Sequence, residues 1–247
     1  MPKLINVGLY AKNGWKEAND GIVHRISDLD TAIDTAFTTL APSVPVPAGG
    51  PVTSTLSAYS EADKDTLRAE FGRLSQKKTN FLLVPGSVFW KLDIAKKHVW
   101  SKKKQAEIRN TTFAYHDGNE LFAYDKMNDC GELSAKIPEE SKKCRFVAGL
   151  AFGVFDCDGL RVGLETCLDH DKGMLKKNDE KLDLHIISSN TVSYTPAHRS
   201  VKSGGYVLHA NALQQAFGCN IYGHPHGIDN NLKLAKQGMV TFGRVVI

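Results

Sequence analysis

The chain has 247 residues, 42% of them apolar and 23% charged, a composition typical of a globular protein that needs no disulfide scaffold. The formal net charge of +4 is too small to indicate a nucleic-acid-binding protein by itself, so nucleic acid is not an expected partner. Five cysteines at irregular spacing, with no Cys-x-x-Cys pair, argue against both a disulfide framework and a structural zinc site.

The N-terminal part of the chain predicts a strand followed by a helix. An apolar run from Leu4 to Tyr10 is typical of a buried strand. Apolar residues at helical spacing predict a helix from about Asp28 to Leu40, capped by Ser27 or Asp28 and ended by Pro42.

A loop, a second helix and another strand are predicted next. Residues 42–53 are dense in proline and glycine, which predicts a loop with no regular structure. Ser60 and Asp63 have the spacing of a capping box, so we expect a helix from about Glu61 to Ser75. The apolar run from Asn80 to Pro85 predicts a buried strand. A basic stretch from Lys91 to Lys104 follows, which we expect to be a solvated loop, with an anion-binding segment as the alternative.

The second half of the chain is dominated by predicted strands. Asp117-Gly118-Asn119 lies between runs at 110–115 and 121–124, which predicts a hairpin. Asp156 to Gly159 separates runs at 147–155 and 160–165, which predicts a second hairpin. With no linker and no repeat, a single α/β domain with a mixed sheet system is favoured. Further strands are predicted at Leu184–Ser188, Tyr206–Ala210 and Met239–Ile247.

Cys167 directly follows a predicted strand, where a sharp strand-to-helix turn would expose the sulfur beside backbone N–H groups. A thiolate in such a place can act as a nucleophile if a base is near. The alternative for a single cysteine after a strand is a buried structural thiol.

The segment around Cys167, Gly163-Leu-Glu-Thr-Cys-Leu-Asp-His170, resembles the nucleophile segment of the carbon–nitrogen hydrolase, or nitrilase, superfamily. The hairpin from Asn110 to Met127 is similar to the family hairpin that ends in the catalytic lysine, here Lys126. Gly131-Glu132 resembles the Gly-Glu pair that follows this lysine. Two further matches keep the family's order: Leu83–Ser87 and Ser203–Asn211.

The resemblance implies one domain over residues 1–247, folded as a four-layer α-β-β-α sandwich and paired into a homodimer or larger homo-oligomer. It implies a hydrolase that cleaves a non-peptide C–N bond of a small amide or nitrile. Cys167 would attack the substrate carbon, while Lys126 and the backbone N–H of Leu168 would stabilise the developing anion. The resemblance implies no cofactor and no metal.

One part of the family pattern is missing. The base glutamate normally follows a proline just after the first helix, and Ser43 stands at that place in this chain. A serine hydroxyl cannot deprotonate a thiol, because its pKa lies far above 7. Three explanations stay open. Glu132, or less favourably Glu165, is the base; or the chain has lost hydrolysis and keeps the pocket for binding; or the 42–53 loop is altered.

The remaining polar residues carry weaker expectations. Asp169 is expected to support the turn that follows Cys167. Tyr194 and His198 are expected to lie in the family's substrate region. The candidate substrate-binding residues are therefore Leu168, Asp169 and Tyr194. We expect the histidines at 170, 224 and 226 to be loop or pocket residues and not metal ligands. The N-terminus lacks the apolar stretch of a signal peptide, and no run approaches the roughly 18 to 20 apolar residues of a membrane helix. A cytoplasmic protein without membrane association is expected.

Overall fold

The two long helices lie in the first third of the chain, and strands dominate the rest. The computed structural model describes residues 4–10, 18–39, 45–46, 58–92, 106–129, 131, 144–189, 191–211, 219–224, 227–228, 235–237 and 240–247. The helices within these ranges are α1 Ala18–Thr39, α2 Glu61–Ser75, α3 Leu168–Asp171 and α4 Met174–Lys177, with a 3-10 turn at Pro196–His198. The strands are β1 Leu4–Tyr10, β2 Pro45–Val46, β3 Tyr59–Ser60, β4 Leu82–Leu83, β5 Ser87–Leu92, β6 Ala106–His116, β7 Asn119–Asp125, β8 Cys144–Phe146, β9 Gly153–Cys157, β10 Leu160–Thr166, β11 Leu182–Ser189, β12 Val201–Asn211, β13 Asn220–Gly223, β14 Gly227–Ile228, β15 Ala235–Gln237 and β16 Val240–Val246.

Hydrogen bonds join the described strands into three sheets. One has the order β14-β13-β12-β11-β10-β9, and β10, β11 and β12 run parallel at its centre. The second has the order β3-β5-β6-β4, and β7 and β8 also pair with β6. The third has the order β15-β16-β1-β2, in which the first and last strands of the chain pair antiparallel.

Three apolar layers show how these elements stack. The inner layer lies between the sheets and joins residues such as Leu82, Leu164 and Ile186, together with Val7 of β1. A second layer packs α1 and α2 against the sheet that contains β6. A third layer packs Leu175 of α4 and neighbouring side chains against the outer face of β11 and β12. The order helix, sheet, sheet, helix is the α-β-β-α sandwich that the family resemblance implies.

The second helix follows its prediction closely. Ser60 and Asp63 form the reciprocal capping box, with both backbone-to-side-chain distances at 3.1 Å. Leu67, Phe71 and Leu74 form the predicted buried face, each with no exposed surface. Local signals therefore suffice to define this helix, because its cap and its apolar stripe agree.

The predicted start of the first helix is wrong. Helix α1 begins at Ala18, so the proposed caps Ser27 and Asp28 lie inside it. Its early turns lack a regular apolar stripe, and Arg25 anchors them instead. This buried guanidinium donates to the carbonyls of Pro85 and Ser87, both at 3.1 Å. A hydrogen-bonded anchor leaves no trace in apolar periodicity, which explains the late predicted start.

Two loop predictions also need correction. Pro45–Val46, inside the predicted structureless loop, forms β2 and pairs parallel with β1. Strand β5 extends to Leu92, so the first residues of the predicted basic loop belong to a sheet. Residues 42–44, 47–53 and 93–104 lie outside the described residues. Among the described helices, none is long and apolar enough to cross a membrane.

Candidate active site

Cys167 lies at the predicted turn between β10 and α3, but the expectation of an exposed sulfur is wrong, because only 4% of the Cys167 surface is exposed. Its backbone has φ 52° and ψ −111°, a region that residues other than glycine rarely adopt. The Cys167 N–H donates to Ser188 O at 2.9 Å, and the Cys167 carbonyl accepts from the His170 N–H at 3.0 Å. Such a conformation persists only where the surrounding structure holds it, and it is common at functional positions.

Lys126 lies directly after β7, at the end of the predicted hairpin. Its N–H donates to Asn110 O at 2.8 Å, and its carbonyl accepts from the Gly149 N–H at 3.0 Å. Its side chain is buried, with 1% of the residue surface exposed. Lysine is seldom buried to this extent, because removing an ammonium group from water is costly. Lys126 is therefore a candidate for a specific electrostatic task.

Asp169 fastens the turn after Cys167 to the segment that follows Lys126. One carboxylate oxygen accepts from the Tyr124 hydroxyl at 2.6 Å and the Met127 N–H at 3.0 Å. The other accepts from the N–H and the side-chain amide of Asn128, both at 2.8 Å. Burial raises the pKa of Asp169, and these hydrogen bonds oppose that effect. The predicted support of the turn thus comes from donors of the lysine segment.

A second link joins the two segments across the inner layer. The hydroxyls of Thr112 in β6 and Thr166 in β10 lie 2.8 Å apart, and both residues are buried. Thr166 directly precedes Cys167, while Lys126 is bonded to Asn110 of the same strand β6. The candidate nucleophile and the candidate lysine therefore lie on segments that are tied together twice.

Glu165 lies beneath the cysteine turn and is fully buried. One of its carboxylate oxygens is 2.9 Å from His170 Nδ1 and 2.8 Å from His185 Nε2. The other accepts from the Leu175 N–H at 2.6 Å. Since Leu175 belongs to α4, this carboxylate connects β10 to both short helices and to β11.

The hydrogen bonds fix the protons in this cluster. The Thr195 N–H donates to His170 Nε2 at 3.0 Å, so the His170 proton lies on Nδ1 and is donated to Glu165. His185 Nε2 faces the same carboxylate oxygen and donates to it as well. Burial lowers the pKa of His170, which favours this neutral form.

Glu165 is not a suitable base for Cys167. Burial alone would raise its pKa, but the attraction of His185 and the donated hydrogen bonds of both histidines lower the pKa to about 2. A carboxylate with three donors and such a low proton affinity does not remove a proton from a thiol. The less favoured of the two base assignments is thereby weakened.

The same three side chains have the composition of a metal site, since their ligand atoms lie within 4.8 Å of one another. An ion would need lone pairs at His170 Nδ1 and His185 Nε2, but both atoms carry protons. Their distances to the carboxylate, 2.9 and 2.8 Å, are hydrogen-bond lengths. Ligands of one tetrahedral zinc ion are about 3.4 Å apart. The cluster is therefore a hydrogen-bonded network.

Tyr194 lies on the outer side of this network. Its ring stacks on His170 with centroids 5.8 Å apart and on Tyr222 with centroids 3.9 Å apart. The segment before it is held by Val192 O, which accepts from Ser189 Oγ at 3.2 Å and from the Asn211 amide at 3.1 Å. Tyr194 thus buttresses His170 in the described structure.

The structure brings together the segments of Cys167, Lys126, Leu168 and Asp169. Glu132 and Ser43, on which the choice of base depends, lie outside the described residues. Sequence reasoning missed the tie from Tyr124 and the role of His185. The position of Asp169 in the nucleophile motif was the one sequence signal for the contact with Tyr124. No sequence pattern pairs His185 with Glu165.

Solved structures of similar architecture are known. Saccharomyces cerevisiae Nit3, a member of branch 10 of the nitrilase superfamily, matches with a TM-score of 0.64 and 15% identity over 98% of this chain and 90% of that chain. An amidase from Nesterenkonia sp. matches with the same values. A carbon–nitrogen hydrolase from Helicobacter pylori G27 matches with a TM-score of 0.61 and 15% identity, over 98% of this chain and 88% of that one. The chain has the nitrilase-superfamily fold.

The nitrilase-superfamily fold extends over the chain, since each of these matches covers 98% of it. The predicted resemblance to this superfamily is thereby confirmed at the level of architecture. No protein-family model and no curated protein matches the sequence. At 15% identity the likeness concerns the fold, and the chemistry has to be argued from this chain's own residues.

Proposed function

We propose that the chain is a carbon–nitrogen hydrolase of the amidase type, with Cys167 as the nucleophile toward a small amide or nitrile. The main support is the tie that Asp169 makes between the strained cysteine turn and the segment after the buried Lys126. Acyl transfer is favoured when a nucleophile is held beside groups that stabilise the developing anion, such as a fixed ammonium group. One of the similar structures, a Nesterenkonia amidase variant, carries the acetamide moiety of fluoroacetamide on its active-site cysteine.

The proposed reaction has two stages. A base takes the Cys167 thiol proton, the sulfur bonds to the amide carbon, and the carbonyl oxygen becomes an anion near Lys126 and the Leu168 N–H. The base then gives the proton to the nitrogen, and the C–N bond breaks. Ammonia or an amine departs, and the acyl group remains on Cys167 as a thioester. Water then attacks the thioester carbon, and the acid and the free thiol form.

Glu132 is the proposed base. The described alternative, Glu165, already accepts three hydrogen bonds, and its pKa of about 2 makes it a poor proton acceptor. Glu132 follows Gly131, whose N–H donates to Asp129 at 2.9 Å in the segment that Asp169 anchors. A base supplied from this segment would share the support of Lys126.

The other predicted site residues receive different proposed roles. Asp169 already accepts four hydrogen bonds, which occupy the acceptor positions of a carboxylate, so we assign it to positioning instead of substrate contact. Tyr194 stacks on His170 and is proposed to position that ring. A homodimer and a cytoplasmic location remain proposals that follow from the sequence resemblance.

A second candidate function is amide binding without turnover. Two observations favour it: Ser43 stands where the family has its base glutamate, and the carboxylate of Glu165 is fully engaged. A pocket of this kind would bind the amide but leave the thiol protonated.

Turnover in the presence of hydroxylamine separates the two functions. The purified protein is incubated with a panel of short aliphatic amides, and ammonia and hydroxamate are measured, because a thioester transfers its acyl group to hydroxylamine. We expect both products from the wild type and neither from Cys167→Ala. The control Cys144→Ala removes another buried cysteine, in β8, and should keep the activity.

The outcomes are distinct for each part of the proposal. Saturable amide binding with no ammonia and no hydroxamate would support the binding protein and refute the hydrolase. Equal turnover by Cys167→Ala would refute Cys167 as the nucleophile. If Glu132→Gln keeps the wild-type rate, the base assignment is wrong while the hydrolase stands.

A further inference from the structure

Two hairpin tips from different sheets meet at one end of the sandwich. The β6–β7 hairpin turns at Asp117-Gly118 and the β9–β10 hairpin at Asp158-Gly159. Both residues of each turn have positive φ, 47° and 88° in the first and 50° and 74° in the second, as in type I′ turns. His116 precedes the first turn and Cys157 precedes the second, so a histidine and a cysteine reach the same place from opposite sheets.

Three potential metal ligands converge between these tips. One ligand atom each from His116, Cys157 and Asp158 lies within 4.8 Å of the other two. His116 Nε2 is 3.2 Å from the Asp158 carboxylate, close to the separation of about 3.4 Å between two ligands of a tetrahedral zinc ion. Yet Nε2 is buried and makes no hydrogen bond with any residue the structure describes. The two groups are near each other without a hydrogen bond, and an ion bound by both would account for that arrangement.

The surroundings of His116 suit metal binding. The Asp117 carboxylate lies 3.8 Å from the other ring nitrogen, Nδ1, and is itself held by the Phe81 N–H at 3.3 Å. Metal-bound histidines commonly have a carboxylate on the side of the second ring nitrogen, as Asp117 is here. With an ion bound, the ring proton lies on Nδ1 and the Nε2 lone pair faces the ion. Cys157 is buried and Asp158 is exposed, so the three ligands leave a side open for entry and for a water.

The ligand set selects the class of ion. A thiolate and an imidazole favour zinc and similar borderline divalent ions, whereas calcium and magnesium prefer oxygen ligands alone. The ligands come from separate hairpins, so no short metal motif appears in the sequence. The proposed ion thus departs from the sequence-based expectation of no metal site.

We propose that His116, Cys157 and Asp158 bind one zinc-class divalent ion, with the charge of Asp117 on the far side of the imidazole. The site lies at the opposite end of β10 from Cys167. Strand β10 has seven residues, so its two ends lie about 20 Å apart at a rise of about 3.3 Å per residue. The ion therefore joins the β6–β7 hairpin to the β9–β10 hairpin and takes no part in the proposed reaction.

Cobalt titration tests the site, because a cobalt–thiolate bond absorbs in the near ultraviolet. The reduced, chelator-treated protein is titrated with Co²⁺, and Zn²⁺ is then added in competition. We expect one equivalent to produce the thiolate band and Zn²⁺ to abolish it. Cys157→Ser should lose the band, and His116→Gln should weaken Co²⁺ binding at least tenfold. The controls Cys219→Ser, a buried thiol of the same inner layer, and Asp156→Asn, beside the ligands, should bind as the wild type does.

A second readout keeps the test valid if the cysteine variant folds poorly. Zn²⁺ should raise the thermal unfolding midpoint of the wild type and of Cys219→Ser but not of His116→Gln, whose side chain is partly exposed. A folded wild type without a thiolate band overturns the proposal. So does a band that survives in Cys157→Ser. Binding that is lost in His185→Gln but retained in His116→Gln would move the ion to the Glu165 cluster and likewise refute this site.

Discussion

Replacing Glu165 with glutamine tests whether the charge beneath the cysteine turn stabilises the fold. The side chain keeps its size but loses one acceptor oxygen. Its carboxylate now accepts from His170, His185 and Leu175. The amide NH₂ would face either the Leu175 N–H or the Nδ1 proton of His170, which the Thr195 hydrogen bond fixes in place. Either orientation therefore places two donors against each other.

The magnitude follows from the pKa of Glu165, which falls from its ordinary value of 4.5 to about 2 in the folded protein. A difference of roughly 2.5 units at about 1.4 kcal/mol per unit corresponds to about 3 kcal/mol of stability. Because the folded pKa is the lower one, this stability is present above the unfolded value of 4.5 and is lost as the pH falls toward 2. The wild type should exceed Glu165→Gln by about 3 kcal/mol at neutral pH and by about 2 kcal/mol near pH 3.5.

Urea unfolding at both pH values measures this difference. Glu180→Gln is the matched control, because Glu180 pairs with Arg161 at the surface, where an ion pair contributes less than about 1 kcal/mol. A loss of under 1 kcal/mol in Glu165→Gln at neutral pH would refute the charged network. A difference that does not shrink near pH 3.5 would refute its pKa.

Three further substitutions test the ties around the site. Asp169→Asn replaces one acceptor oxygen by a donor, so two of the four hydrogen bonds to the carboxylate are lost. Urea unfolding should show that the free energy of unfolding falls by about 3 kcal/mol or more. A decrease below about 1 kcal/mol would contradict the role of Asp169 in fastening the turn. Lys126→Met keeps a buried stem but removes the charge, so the hydroxamate rate should fall at least 100-fold while the circular dichroism spectrum is unchanged; a rate within threefold of the wild type would exclude the electrostatic role. Thr112→Val leaves the Thr166 hydroxyl unpaired and should cost about 1–3 kcal/mol in the same unfolding assay, much of which the added Thr166→Val change should restore; a larger loss in the double variant would show that the hydroxyl pair is not the source.

The parts of the fold that the sequence predicts well have strong local signals. Helix α2 combines a capping box with an apolar stripe, and both hairpins turn at an Asp-Gly pair with positive φ. These features depend on residues within a few positions of each other. They are therefore readable without knowing what packs against them.

The parts that were missed depend on distant partners. Strand β5 was not predicted, because apolar side chains cover both of its faces and its sequence does not alternate between polar and apolar residues. Val88 and Trp90 pack toward the helices, while Phe89 packs in a separate cluster on the other face. The start of α1 depends on Arg25 reaching the carbonyls at 85 and 87. Such contacts are set by the tertiary structure.

The candidate site divides in the same way. Cys167 and Lys126 were identified from the family resemblance, and the turn at Cys167 follows from its position after a strand. The role of His185 could not be predicted. Its place beside Glu165 depends on the parallel register of β10 and β11, which pairs Gly163 with His185. Register between parallel strands is not encoded by any local turn.

The cysteine turn is held from three directions by residues within two positions of Cys167. Thr166 bonds to β6 through the inner layer, Glu165 bonds outward to α4 and β11, and Asp169 bonds to the segment after Lys126. A backbone at φ 52° costs about 1–3 kcal/mol, whereas each hydrogen bond to a buried carboxylate contributes about 1.5–3 kcal/mol. The ties together exceed the strain, so the turn holds its conformation without a ligand. The thiol is therefore held in place without a ligand, and the reaction proposed for Cys167 would require only the removal of its proton.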